Sequence, residues 1–234
     1  MNVYDNIMAE LTALANEEKV RVLSGFFKTG KGEYGEGDKF LGIPVPQTRG
    51  VARRYKNAPL SVAVSLLGSE LHEVRLCALL IMVEKMRKAG SDDAREIFET
   101  YLANTRHINN WDLVDLSAPQ IVGGYLQDKP HDLLYRLADS SLLWDNRIAM
   151  VSTYTFIKAG QLDDTFMLAQ KLIAHPHELM HKAVGWMLRE AGKRDFGRLR
   201  SFVDEHWRDM PRTMLRYAIE KYPENERKEV LGRR

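Results

Sequence analysis

Apolar residues recur along this chain at three- and four-residue steps. In "EVRLCALLIMVEKMRK" the apolar positions Val74, Leu76, Cys77, Leu80, Ile81 and Val83 broadly follow the i, i+3, i+4, i+7 pattern of an amphipathic helix. Lys85, Arg87 and Lys88 close that run, where cations suit the helix dipole, and Gly90 is a stop signal. Ser91 is the expected N-cap of the next run, "SDDAREIFETYL", with Asp92 and Asp93 in its first turn. "DDTFMLAQKLIAH" and "DFGRLRSFVDEHW" are runs of the same kind. Pro59, Pro130, Pro176, Pro211 and Pro223 fall at the edges of such runs and act as boundaries. Pro119 lies inside "DLSAPQIVGGYL" and predicts a break or kink there. No convincing alternating strand or hairpin turn interrupts the helical pattern, so the predicted class is all-α.

The helical runs also repeat. Candidate inner helices begin near Arg75, Asp112, Arg147 and Lys182, at intervals of 37, 35 and 35 residues. "HEVRLCALLIM", "WDNRIAMVSTY" and "MHKAVGWMLRE" each place a basic residue just inside a run that then turns apolar, and each is followed by a second amphipathic run. The period is a little shorter than the roughly 40–47 residues of HEAT and armadillo units and predicts a compact HEAT-like solenoid. Such a stack presents a concave surface lined by its inner helices. The expected organisation is one HEAT-like domain over residues 1–234, interrupted by an irregular loop at 28–45, "KTGKGEYGEGDKFLGIPV", with glycines at 30, 32, 35 and 37.

Composition narrows the function classes. Apolar residues at 44% and charged residues at 28% are the balance of a soluble globular protein. A net charge of +2 excludes a polycation overall, but from His181 onward 14 Lys and Arg face 9 Asp and Glu. That asymmetry is read either as a cationic binding surface on the C-terminal helices or as an ordinary solvated one. One cysteine, Cys77, excludes an internal disulfide and fits a reducing compartment. "MNVYDNIMAE" is not a signal peptide, and no apolar run reaches the roughly 20 residues of a membrane span. The expected location is the cytoplasm.

Two motifs are set aside on context. Gly30, Gly32 and Gly35 spell G-x-G-x-x-G, but the segment before them reads helical. Glu33, Glu36 and Asp38 would also repel a phosphate. "HELMH", His177 to His181, matches the zinc-peptidase pattern of two imidazoles one turn apart with a glutamate to activate water. Pro176 puts His177 at a helix start, and Glu190 and His206 are the only third ligands to suggest themselves. Neither a metal nor a cofactor is expected.

A third constellation carries more. In "NNWDLVDL", Trp111 and Asp115 are i, i+4 neighbours on one helix face. Arg147 begins the next inner helix and Trp186 lies on the one after. Spacing alone favours the plainer reading of two core indoles and a structural Asp115–Arg147 ion pair over a convergent site. Asp112 points about 100° away from Trp111 around the helix and is read as a cap or structural acid.

"NNWDLVD", "WDNRIAM", "HKAVGWMLREAGK" and "KTGKGEYGEGDKFLGIPVPQTR" together resemble the AlkD-type DNA alkylation repair glycosylases, over nearly the whole chain and in the same order. The resemblance implies a HEAT-like superhelix that grips duplex DNA. It implies excision of cationic N3- and N7-alkylated purines without a metal and without flipping the base into a pocket. It assigns Asp115, Trp111 and Trp186 to catalysis and Arg147 to the DNA; we add Lys182 and Arg189, cations on the helix of Trp186, to the DNA contacts. The expected partner is duplex DNA bearing alkylated purines, bound by a monomer. The rival reading is a non-catalytic HEAT-type scaffold for nucleic acid or protein, with the zinc peptidase third.

Overall fold

The computed structural model describes residues 2–233. It is helical throughout and contains no strand among the described residues; an isolated parallel bridge joins Lys39 and Leu71. The chain divides into two compact units, 1–125 and 126–234, each treated separately below.

The first unit contains α1 (Val3–Ala13), α2 (Glu17–Phe26), α3 (Val45–Arg54), α4 (Leu60–Leu67), α5 (His72–Met86), α6 (Ser91–Ala103) and the short α7 (Trp111–Asp115). Its core is α5, which packs against α3, α4 and α6. Every residue from His72 to Val83 is buried. A helix covered on all sides needs apolar residues all round, and "VRLCALLIMV" supplies them. The glycine-rich segment between α2 and α3 is the expected irregular loop. At Gly42 (φ +82°) a Cβ would stand 2.1 Å from the Asn16 carbonyl oxygen, so only glycine lets the loop lie against the start of α2.

After α7 the chain passes through a π-helical turn at Pro119–Gly123, which is the break Pro119 predicts. The three-residue α8 (Gly124–Leu126) follows. The second unit holds α9 (Asp132–Ala138), α10 (Leu143–Lys158), α11 (Asp163–Lys171), α12 (Glu178–Gly192), α13 (Phe196–His206), α14 (Arg212–Ala218) and α15 (Glu224–Gly232). Here α10 is the buried helix, packed by α9, α11 and α12, and α12 packs in turn on α14. Gly185 permits that last contact, since a Cβ there would lie 2.5 Å from both the Met214 carbonyl oxygen and Tyr217 Cβ.

The helices that correspond to the repeat start at residues 72, 111, 143 and 178, steps of 39, 32 and 35. The second is only five residues long, shorter than its pattern suggests, because the backbone leaves α geometry ahead of Pro119. The start of α6 also differs from expectation. Gly90 is its N-cap, in extended conformation and without a side-chain bond, and Ser91 is already helical. The first turn closes one residue early, with the Ala94 N–H donating to the Gly90 carbonyl at 2.9 Å.

Candidate functional site

Trp111 and Asp115 are the first and last residues of α7, so the helix is little more than the turn that puts them on one face. Asn110 caps it, its side-chain oxygen accepting from the Trp111 N–H at 2.8 Å. Both Trp111 and Asp115 are half-buried. The indole stacks on Phe27 (centroids 5.3 Å apart, planes 20°) and meets the edge of Phe26 at 5.7 Å. Phe27 stacks in turn on Phe40 at 5.1 Å. These rings, with Leu116 and Asp115, border an open cavity of about 310 Å³. Phe26, on its edge, is 60% exposed. A carboxylate at the rim of an apolar, aromatic hollow acts in a lower dielectric than water gives it.

Beneath the rings lies a charged network that the sequence reading did not identify. His72, 2% exposed, packs against both Phe27 and Phe40, ring centroids at 4.8 and 4.7 Å. Its Nδ1 lies 3.2 Å from Asp38 Oδ2 and its Nε2 2.9 Å from Asp112 Oδ2. Asp38 also accepts from Arg75 Nη2 at 2.6 Å and Asn110 Nδ2 at 3.1 Å. Burial alone would depress the His72 pKa, but the bonds to Asp112 and Asp38 prevail and raise it to about 9. For Asp38, burial pushes upward and is outweighed by His72, Arg75 and Asn110, which hold the carboxyl below its ordinary value. Glu73 accepts the backbone N–H groups of Leu41, Gly42 and Ile43 at 2.9, 2.8 and 3.1 Å. Asp112 is thus the structural acid expected of it. A signal for the rest existed: "HEVR" puts three ionisable residues at the start of a run too apolar to be solvated, so they require partners.

The other four candidates lie in the second unit. Arg147 is 4% exposed, and its Nη1 donates to the Leu179 carbonyl at 2.6 Å, tying α10 to the first turn of α12. Trp186 is half-buried on α12, its ring 5.8 Å from that of Tyr154 on α10. Lys182 pairs with Glu178 one turn earlier at 3.1 Å. Arg189 pairs with Glu190 at 3.3 Å and with Glu220. Trp111 and Asp115 are therefore brought together within one unit, and Arg147, Trp186, Lys182 and Arg189 within the α10–α12 layer of the other.

The histidines of "HELMH" have backbone partners. His177 Nδ1 accepts from the Leu179 N–H at 3.1 Å and caps α12, while His181 Nε2 lies 2.6 Å from the His175 carbonyl. His175 Nδ1 accepts from the His177 N–H at 3.1 Å, and its Nε2 meets Asn146 Oδ1 at 3.1 Å. No cluster of three or more His, Cys, Asp or Glu suited to a metal occurs among the described residues. No helix among the described residues is long and apolar enough to cross a membrane. Burial pushes the Cys77 thiol up to about 12, which makes it an inert core residue.

An all-helical chain of repeated helix pairs, with an indole and a carboxylate sharing a short helix face, defines the class. The chain belongs to the DNA alkylation repair enzyme family, whose model matches residues 7–222. In fold it is similar to a solved structure described as a predicted DNA alkylation repair enzyme from Enterococcus faecalis, with a TM-score of 0.69 over 90% of this chain and 97% of that one. At 15% identity that likeness shows a shared helical-repeat fold and nothing finer. A search of curated proteins gives no match.

Proposed function

We propose that this protein is a DNA-alkylpurine glycosylase that hydrolyses the N-glycosidic bond of cationic N3- and N7-alkylated purines in duplex DNA, without flipping the base into a pocket. The observation that carries the reading is the pairing of Trp111 and Asp115 on one face of α7, at the rim of an aromatic cavity, in a chain of a DNA alkylation repair family. An N7-alkylated purine is already positively charged and needs no general acid. As the C1′–N bond breaks, its electron pair leaves with the base and neutralises the ring, while positive charge grows on the deoxyribose. The Asp115 carboxylate stabilises that charge and orients the water that attacks C1′. The water adds to C1′ and loses a proton, leaving an abasic sugar. The indole face of Trp111 attracts the same developing cation, and Trp186 is assigned to catalysis by the family resemblance. Arg147, assigned to the DNA by the family resemblance, is 4% exposed and braces the start of α12, the helix whose Lys182 and Arg189 are the cations for the phosphates. The chain acts as one HEAT-like domain, a monomer without metal or cofactor.

The test is incubation with randomly methylated duplex DNA and chromatography of the released bases. Asp115→Asn should keep the fold and the DNA affinity and slow N7-methylguanine release by roughly 10²-fold or more, the scale of losing one preorganised electrostatic contact. Binding to methylated duplex without base release by the native protein would favour the scaffold reading. Loss of release in EDTA, restored by zinc, would return attention to His177, Glu178 and His181.

A further inference from the structure

We propose that His72, held as an imidazolium, is the positioning residue of this site: it bridges the glycine-rich loop to α7 and thereby sets the placement of Trp111 and Asp115. The proposal rests on the reading that those two residues face the scissile sugar, but its geometry stands without it. Both ring nitrogens of His72 meet carboxylate oxygens, Asp38 at 3.2 Å and Asp112 at 2.9 Å. A neutral imidazole carries a lone pair on one nitrogen and would point it at an anion, so with both carboxyl groups ionised the two contacts are made by the doubly protonated ring. Asp112 Oδ1 is buried without a hydrogen-bond partner, so the Nε2 contact is what compensates that carboxylate. The ring lies against both Phe27 and Phe40, at 4.8 and 4.7 Å, and aromatic faces favour a cation.

The bridge joins what the site needs fixed. Asp38 belongs to the loop that supplies Phe40, and Asp112 is the residue after Trp111 on a helix of five residues. So short a helix has almost no intrinsic stability, so its orientation depends on tertiary bonds. Asn110, its cap, is also held by Asp38. The charged groups around the ring are Asp38 in the loop, Asp112 and Asp115 on α7, and Glu73 and Arg75 on its own helix. Arg75 neutralises the second oxygen of Asp38, and Glu73 is engaged by loop backbone. Removing the His72 proton would leave an uncompensated anion at one end of the bridge and release α7 from the aromatic stack.

The test uses the full chain as wild type, His72→Gln and Asp112→Asn. Nitrogen NMR of the His72 ring is followed alongside the Trp111 indole N–H resonance, assigned with Trp111→Phe, with single-turnover release of N7-methylguanine as the third readout. In the wild type both ring nitrogens should be protonated at neutral pH. The Trp111 resonance should then move as the ring deprotonates near pH 9. His72→Gln should shift the Trp111 resonance and leave that of Trp186 in place. It should slow base release by roughly 10²-fold, the scale of misplacing a catalytic group by about an ångström, while duplex affinity is kept. If His72→Gln does not fold, Asp112→Asn decides: it should lower the pH at which the Trp111 resonance moves. A single neutral tautomer of His72 at pH 7 would overturn the proposal, as would a Trp111 resonance indifferent to both the His72 ionisation and Asp112→Asn. Absence of base release by the wild type would remove the glycosylase reading, while the ring and indole signals would still decide the positioning role.

Discussion

The two buried helices, α5 and α10, solve one problem in different ways. Each begins with an acid and, two residues later, an arginine: Glu73 and Arg75 in one, Asp145 and Arg147 in the other. All four are buried. In α5 the acid secures a separate segment, accepting three backbone N–H groups of the loop, while Arg75 pairs with Asp38 of that loop. In α10 the acid and the asparagine after it bond to nearer groups. Asp145 accepts from Ser140 Oγ at 2.8 Å, and Asn146 donates to the carbonyls of Leu137, Ala138 and Ser140. Arg147 reaches the Leu179 carbonyl. The same sequence pattern thus clamps a separate loop in the first unit and in the second braces the turn before α10 and the start of α12. The clamp carries the aromatic cavity; the brace carries α12 with its indole and cations. A repeat fixes where charged residues fall, and the neighbouring segment decides what they do.

Substitution at the two acids should separate clamp from brace most strongly. Glu73→Ala leaves three N–H groups of the loop, two of them buried, without an acceptor. At about 1–3 kcal/mol for each unsatisfied buried group, less what water recovers, it should destabilise the protein by roughly 3 kcal/mol or more. Asp145→Ala removes one hydroxyl bond and should cost about 1 kcal/mol. Urea unfolding monitored by circular dichroism measures both. Equal losses at the two positions would erase the distinction drawn here.

Much of the fold was legible because it rests on local pattern. Helical periodicity, proline boundaries and the break at Pro119 are read from neighbours in sequence, and so is the shared face of Trp111 and Asp115. What was not legible is long-range. The bonds from His72 reach 34 residues back to Asp38 and 40 forward to Asp112, and no spacing rule encodes such partners. Arg147 shows the same limit: the sequence placed it at a helix start, whereas its bond to Leu179 lies 32 residues away. "HELMH" misleads in the opposite sense. The i, i+4 spacing is real, but one histidine caps the helix and the other meets a carbonyl six residues earlier.

The gentlest way to sharpen the comparison is pH, because His72 in the first unit and His175 and His177 in the second are displaced in opposite directions. His72 has a folded pKa of about 9, above its ordinary 6.5. The folded state holds that proton more tightly, so its contribution is fully present below about pH 6.5, shrinks as pH rises and is gone above about 9. His175 and His177 are depressed, first by burial and then by neighbouring imidazoles. Their neutral rings accept backbone N–H groups at the start of α12. Their contribution is present above the ordinary histidine value and is lost as pH falls below it. His107 in the first unit is depressed as well, by burial and by Arg106 and Arg75, and adds to the acid loss. Tyr222, raised to about 12 by burial, and the other displaced tyrosines act above pH 10. The lowered carboxyl of Asp38 acts below pH 4. A window from pH 5 to 9.5 therefore reports mainly the histidines. The melting temperature across it should fall at both ends. His177→Asn, whose amide oxygen caps a helix without titrating, should flatten the acid side and leave the neutral value nearly unchanged. His72→Gln should lower the neutral value and flatten the alkaline side. An acid edge unchanged in His177→Asn would mean that protonation at the start of α12 does not govern that side, and His107 would become the residue to substitute next.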